Sequence, residues 1–480
     1  MIIPDLTEAR ELSKGNTLVP ISMELYADLK TPVEVLRTVT AAGQNAYILE
    51  SAPGGESWSR YTFIGYEPLL EISGAGDRVV IIENGKQTIR DGDPHEILNE
   101  VARMRKSPRI KSMPPFTGGF VGYFSYEYFS NIERSLHLNG EDDMKMGDFR
   151  LMLFDKVVAF DHFRQKISLI VNIRADDIEN SYIEGVTTLK DMERLVLSSP
   201  PAGTESASHV DFSPSFSREA FCAEVEKAKA HIYEGDIFQC VPSIRFDSTY
   251  DGSLLPVYRN LRTINPSAYM FYIRFADLEL AGASPETLVS LKEGLVSTYP
   301  LAGTCPRTDD NAENEILIAK MLSDEKELAE HDMLVDLGRN DIGKVCNFGS
   351  VKVEEYRSVK KLSHVCHIAS KVTGVVKDGF EPLDVMAAVL PAGTLSGAPK
   401  KRACEIIDEI EHKKRGVYGG AVGYIDFTGN MDLCIGIRMA VLKDGFVHIQ
   451  SGAGIVADSQ PDKEYDECMH KASAIMKAFG

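Results

Sequence analysis

Two Glu-x-x-Glu pairs carry the most distinctive chemistry of the chain: Glu327/Glu330 in DEKELAEHDMLVDLGRNDIG (324–343) and Glu464/Glu467 in DSQPDKEYDECMHKASAIM (458–476). Residues three apart on a helix share a face, so each pair presents two carboxylates in one direction. Two such helices facing each other make an oxygen-rich nest for a hard divalent cation. Mg²⁺ is the natural occupant, because it takes few protein carboxylates and keeps positions for water and an anionic ligand. Either pair alone is more often a solvated face of an acidic protein. Lys471 follows Glu467 by four residues, on the same helical face, in reach of a carboxylate of the metal site or of a substrate. Four glycine turns, PLAGT (300–304), PAGTLSGAPK (391–400), YGGAVGY (418–424) and SGAGIVAD (451–458), let backbone N–H groups approach an anion. None is a P-loop, and SGAGIVAD lacks the third glycine and following helix of a dinucleotide fingerprint. His364, Cys366 and His367 lack the spacing of a zinc finger, and no second Cys/His cluster exists to complete one.

These residues need a scaffold, and a chain of 480 residues is too long for one simple core. The linker candidate is LSSPPAGTESASHVDFSPS (197–215), rich in Ser, Pro and Gly. It divides an N-terminal domain, 1–196, from a C-terminal domain, 216–480. In the first, TPVEVLRTVTAAG (31–43) predicts a helix with Pro32 near its start and Gly43 at its end. NAYILES, DRVVIIENG, FTGGFVGYFSY and QKISLIVNI predict strands. In the second, Ser217 caps a helix whose apolar stripe is Phe221, Val225, Ala228 and Ile232, and Gly235 ends it. QCVPSIRF, AYMFYIRF, ELAGA, TLVSLK, GLVSTYPLAG, YGGAVGYIDF, DLCIGIRMAVLKDG and FVHIQSGAGIVAD predict strands, before a final helix from about Lys463. The pattern is α+β: large mixed or antiparallel sheets with helices packed outside, without regular βαβ alternation. A net charge of −19 argues against nucleic acid, and no apolar run spans a membrane. The N-terminus has no secretory pattern, and eight cysteines without a C-x-x-C pair read as reduced thiols, so a cytoplasmic location is expected.

The order and spacing of several blocks are far more specific. GDIFQCVPSIRF (235–246), GASPETLVSL (282–291), PLAGTCPR (300–307), AEHDMLVDLGRNDIGKV (329–345), LPAGTLSGAPKKRACEIIDEIE (390–411), RGVYGGAVGYID (415–426) and GAGIVADSQPDKEYDE (452–467) resemble the chorismate-utilising enzymes. The likeness is closest to the anthranilate synthase component I group, and reaches the N-terminal half through ISMELYADLKTPVEVL (21–36) and YILESAP (47–53). It implies a sandwich of large sheets and an Mg²⁺-dependent lyase of the oxo-acid-lyase type. Ammonia adds at carbon 2 of chorismate, the carbon-4 hydroxyl leaves, and pyruvate is eliminated to give anthranilate, the first committed step of tryptophan synthesis. The resemblance makes Glu330 and Glu467 the most direct metal ligands, supported by Glu327 and Glu464. It makes Glu286 the general acid and His367 the group that takes the carbon-2 proton, with Thr394 beside them. Arg438, Tyr418, Gly303, Thr304, Lys471 and the turn Gly452, Ala453, Gly454 become substrate contacts.

Two positions choose among relatives. Water-adding relatives place a lysine where this chain has Gln239, and glutamine is no base, so ammonia is the favoured nucleophile. Aminodeoxychorismate synthases carry a nucleophilic lysine where this chain has Ala302. An aminodeoxyisochorismate synthase, an aminodeoxychorismate synthase component I and an inactive binding protein remain as alternatives. Cys305 stands where many relatives have Arg. No glutaminase half is visible, so the resemblance implies a separate glutamine amidotransferase subunit in a hetero-oligomer. It also implies feedback by tryptophan at Ser51, Ala268, Tyr269 and Met270, Ala268 replacing the usual proline.

Overall fold

The computed structural model describes residues 2–43, 45–51, 60–199, 206–308, 310–361 and 365–480. Two antiparallel sheets, each of twelve strands among the described residues, form its frame. Both sheets are built from both halves of the sequence. In the first sheet the halves join where Ala46–Glu50 pairs with Tyr269–Arg274. In the second they join where Gly119–Phe124 pairs with Ala421–Asp426. The sheets face each other across a core that mixes Tyr47, Phe63, Phe271 and Met439 of the first with Val121, Tyr123, Met152 and Val422 of the second. Helices cover the outer faces: those including Leu36, Leu189, Phe221 and Cys468 pack on the first sheet, and those including Leu98, Val335 and Met386 on the second. This is the expected α+β sandwich.

Burial follows position in the sheets. The strand Leu70–Ala75 alternates buried and half-exposed residues, whereas Gly119–Phe124 is buried throughout because both its faces are covered. The helix Pro32–Ala42 starts as expected: Thr31 Oγ1 accepts the Glu34 N–H at 3.2 Å, and Pro32 fills the first turn. Ser217 Oγ accepts the Ala220 N–H at 3.2 Å, and the helix Arg218–Glu234 ends at Gly235 with φ +84°.

Three expected strands are each two. QCVPSIRF divides into Gln239–Cys240 and Ser243–Thr249 around Pro242, which has no N–H to give a ladder. GLVSTYPLAG divides into Leu295–Thr298 and Leu301–Pro306 around Pro300. DLCIGIRMAVLKDG divides into Met431–Ile435 and Met439–Lys443, with Arg438 at φ +52° between them. The strand expected over FVHIQSGAGIVAD stops at Gly452. The divisions matter, because the chain changes sheets at them. Leu278–Ser284 belongs to the first sheet and Thr287–Lys292 to the second, so Pro285 and Glu286 form a crossover. Met431–Ile435 to Met439–Lys443 is the return crossover. The two are laced together: the Ile435 N–H donates to Glu286 O at 3.0 Å, and the Ala283 N–H to Arg438 O at 3.0 Å.

Candidate active site

At these crossovers lies a cavity of about 610 Å³. Two helices supply its carboxylates. In the helix Pro461–Met476, Tyr465, Cys468, Ala472 and Ile475 form the buried stripe. Glu464, Glu467 and Lys471 make the neighbouring stripe, one residue away, and Glu467 and Lys471 of that stripe line the cavity. The helix Glu325–Gly343 buries His331, Leu334 and Val335 and places Glu327, Glu330 and Leu334 on the wall.

The remaining wall comes from the turns. Gly303 has φ +73° at an irregularity between Ala302 and Thr304, and a Cβ there would come within 2.8 Å of Ile368. Its carbonyl faces the strand Val365–Val375 and accepts a hydrogen bond from His367 Nδ1 at 3.1 Å. That bond leaves the basic lone pair of the imidazole on Nε2. Burial, chiefly, and the nearby Arg438 charge push the His367 pKa down, against the Gly303 bond, so the ring is neutral at pH 7. Glu286 behaves oppositely. Burial raises its pKa to about 7, although Thr394 Oγ1 donates to its Oε1 at 2.8 Å and the Lys471 charge also opposes the rise. A carboxylic acid and a neutral imidazole thus border one cavity, the arrangement of a general acid with a general base.

Arg438 turns its side chain to the wall from left-handed backbone, strain of the kind that a functional site retains. Gly452 is required by packing: a Cβ there would lie 2.9 Å from the Tyr418 hydroxyl and 2.8 Å from Pro242 O. Lys471 Nζ is 2.6 Å from Glu467 Oε1 and donates to Gly452 O at 2.9 Å. Gln239, 3% exposed, donates from Nε2 to Glu330 Oε1 at 3.2 Å.

The cavity therefore unites Glu286, Gly303, Glu327, Glu330, His367, Thr394, Tyr418, Arg438, Gly452, Gly454, Glu467 and Lys471. Two expected residues stand apart. Ala453 is fully buried in the core under the first sheet, and its N–H goes to Pro242 O at 3.2 Å. Glu464 is not on the wall; burial and the Glu467 charge push its carboxyl up, against a Ser459 hydrogen bond. The side chain of Thr304 and all of His364 lie outside the described residues. Cys305 packs among Ile318, Met321, Cys366 and Ile368 and is not among the residues that line the cavity. Leu301, Leu334 and Gln450 line the cavity without having been singled out; apolar or uncharged, they carry no chemical signature in sequence.

The carboxylates fit a cation that keeps much of its water. Glu327, Glu330 and Glu467 border one space. Among the described residues, only His231, Glu234 and Asp236 bring three ligand atoms within 4.8 Å of one another. An open set of this kind suits Mg²⁺, bound through one or two carboxylates plus the oxygens of a ligand. The His231 group is instead tied internally, Asp236 pairing with His231 at 2.9 Å and Arg402 at 3.3 Å.

A second, small space of about 50 Å³ lies between the sheets and is bordered by Ser51, Ala268, Tyr269 and Met270, all four expected inhibitor contacts. Asp432 is also on its wall, 4% exposed, with burial pushing its carboxyl well up; Tyr269 Oη donates to it at 3.1 Å and contacts Thr287 Oγ1 at 2.8 Å. No helix among the described residues is long and apolar enough to cross a membrane.

Residues 45–477 match the family described as chorismate binding enzyme. The chain is 43% identical to the anthranilate synthase component 1 of Acetivibrio thermocellus, over 100% of this chain and 99% of that one. It is 42% identical to that of Aquifex aeolicus (strain VF5), over 99% and 97%. Anthranilate synthase component I from Streptococcus pneumoniae TIGR4 superposes with a TM-score of 0.78 at 38% identity, over 89% of this chain and 93% of that one. The menaquinone-specific isochorismate synthase MenF from Escherichia coli superposes at 0.71 with 17% identity, over 99% and 100%, a likeness of fold alone.

Proposed function

Because the chain belongs to the chorismate binding enzyme family, we propose that its cavity converts chorismate and ammonia to anthranilate and pyruvate. The observation that carries this reading is the pairing of Glu286, held protonated near neutrality, with neutral His367 on one wall. Expulsion of the carbon-4 hydroxyl needs a proton, and Glu286 has one to give. Thr394 bonds its Oε1, which leaves Oε2 to carry the proton. The aminated ring must then lose its carbon-2 proton as pyruvate departs, and Nε2 of His367 is the base we assign to that step. Gln239 offers no basic group to activate water, which favours a nucleophile that needs none. Arg438 supplies a fork suited to a carboxylate.

Glu330 and Glu467, with Glu327 beside them and Glu464 behind, are the residues that would hold Mg²⁺. Such an ion would offset the charge that these glutamates turn toward an anionic substrate. The relatives' designation as component 1 supports a second subunit, and we assign it the release of ammonia from glutamine. The space at Ser51, Tyr269 and Asp432 is the site we assign to tryptophan as inhibitor. Both sheets line it, so an occupant would touch both at once.

The test is anthranilate fluorescence from the purified chain with chorismate, an ammonium salt and MgCl₂, with a magnesium-free control. Magnesium-dependent fluorescence without any partner is expected. Chorismate consumed with a non-aromatic amine accumulating would reject the elimination step assigned to His367. No consumption at all would reject the reading.

A further inference from the structure

Behind the cavity wall, and not part of it, is a buried ion pair that the chemistry above does not use. Arg415 is 2% exposed. Its Nε donates to Glu411 Oε2 at 2.9 Å, and Nη2 reaches Oε1 of the same carboxylate. Nη1 donates to Leu395 O and Nη2 to Val241 O, each at 2.7 Å. The guanidinium also lies 4.5 Å from the ring centre of Tyr126 and 5.5 Å from that of Tyr418. Glu411 Oε1 in turn accepts the Ser243 N–H at 2.8 Å and the Ser243 hydroxyl at 2.7 Å.

A buried ion pair is weak evidence for stability, since desolvation cancels much of its attraction. The choice of contacts points elsewhere. Leu395 follows Thr394, the partner of Glu286. Val241 lies two residues after Gln239, and Ser243 sits in register with Gly452. With Tyr418, these segments form much of the cavity wall. A guanidinium, with five donors in a rigid plane, makes all four of these bonds at once, one more than the three donors of a lysine ammonium allow.

We propose that Arg415, fixed by Glu411, is a positioning residue for the reaction: it locks into one frame the segments that carry Thr394, Gln239, Gly452 and Tyr418. The inference rests on the cavity being the site of chorismate amination.

The test compares wild type with Arg415→Lys and with the double variant Arg415→Met/Glu411→Met, measuring anthranilate formation from chorismate, ammonium and MgCl₂ alongside thermal unfolding. Lysine keeps the charge but has three donors for four acceptor oxygens and no planar fork; the methionine pair removes both charges at similar volume. Misplacement by about 1 Å costs on the order of 100-fold in rate. Both variants are therefore expected to fold and to lose kcat on that scale, with the unfolding temperature lowered in the double variant because Leu395 O, Val241 O and the Ser243 N–H lose these partners. Adding Thr394→Val to Arg415→Lys should cost less than Thr394→Val costs alone, because both act through one loop. Wild-type kcat in either folded variant, or full additivity with Thr394→Val, overturns the proposal. So does failure of both variants to fold, which would assign the pair to stability. A wild-type chain that makes no anthranilate would remove the reading of the cavity instead.

Discussion

Glu286→Gln separates the two consequences of holding a carboxylic acid in the cavity. Gln keeps an oxygen for the Thr394 hydroxyl, bonded at 2.8 Å in the native chain, and removes only the titrating proton. Burial raises the Glu286 pKa from 4.5 to about 7. A pKa raised on folding contributes stability that is complete below the unfolded value and lost as pH climbs through the folded one. Native Glu286 thus costs under ~1 kcal/mol at pH 5 and roughly 3 kcal/mol at pH 8.5, at about 1.4 kcal/mol per unit. The glutamine variant escapes this cost. Its unfolding temperature should exceed that of wild type by a margin that widens with pH, reaching about 3 °C at pH 8.5 for a chain of this size. Activity should move the other way. Loss of a general acid typically removes about 100- to 10,000-fold of rate, read as anthranilate fluorescence with free NH₃ held constant across pH. The wild-type rate per free NH₃ should fall as pH rises through about 7. A variant that keeps kcat within ~10-fold of wild type, against the range expected for a lost acid, would refute the assignment. So would a stability margin that does not grow with pH.

Three further perturbations follow from the geometry. His367→Gln should leave chorismate consumption running while anthranilate yield drops and an aminated, non-aromatic intermediate appears by chromatography and mass; unchanged product ratios would exclude His367 as the base. Lys471→Met frees Glu467 from a partly exposed ion pair of 2.6 Å. Such pairs are worth about 0.2–1 kcal/mol, so Mg²⁺ affinity measured by calorimetry should rise by at most ~5-fold, and a fall would mean that Lys471 assists the ion. Asp432→Asn replaces a carboxyl that burial holds protonated and should weaken tryptophan inhibition by about 2- to 10-fold, the worth of one neutral hydrogen bond, with the uninhibited kcat near wild type; unaltered inhibition would place the effector elsewhere.

The readable part of this site was whatever depends on local spacing. Glu464, Glu467 and Lys471 sit beside a core stripe because the helix repeat of 3.6 residues dictates it, and Gly235 and Gly303 mark turns that need positive φ. Strand phase was less readable. Side chains alternate faces, so one irregularity reverses every residue beyond it. The irregularity at Gly303 is what carries Cys305 into the layer with Ile318 and Cys366, and no periodic pattern in PLAGTCPR announces it. Ala453 shows the same limit: flanked by two cavity glycines, it points into the core. Arg415 was invisible for a different reason. Its partners Leu395 and Val241 lie 20 and 174 residues away along the chain, and both offer backbone carbonyls, which every sequence supplies everywhere.

The sheet crossovers explain why one small space between the sheets can matter to chemistry outside them. Glu286 and Arg438 stand on the two neighbouring segments where the chain changes sheets, joined by the Ile435–Glu286 and Ala283–Arg438 hydrogen bonds. The proposed inhibitor space is bordered by Tyr269 and Met270 of one sheet and by Asp432 and Cys434 of the other. Cys434 precedes Ile435, and Tyr269 contacts Thr287, the residue after Glu286. A molecule bound there contacts both sheets at the base of both crossovers, and any shift it imposes falls on the two together. A close-packed interior does not absorb such a change locally, so it reaches the acid and the Arg438 fork together. Inhibition through this space should then impair both substrate binding and turnover, without the inhibitor entering the cavity where the reaction occurs.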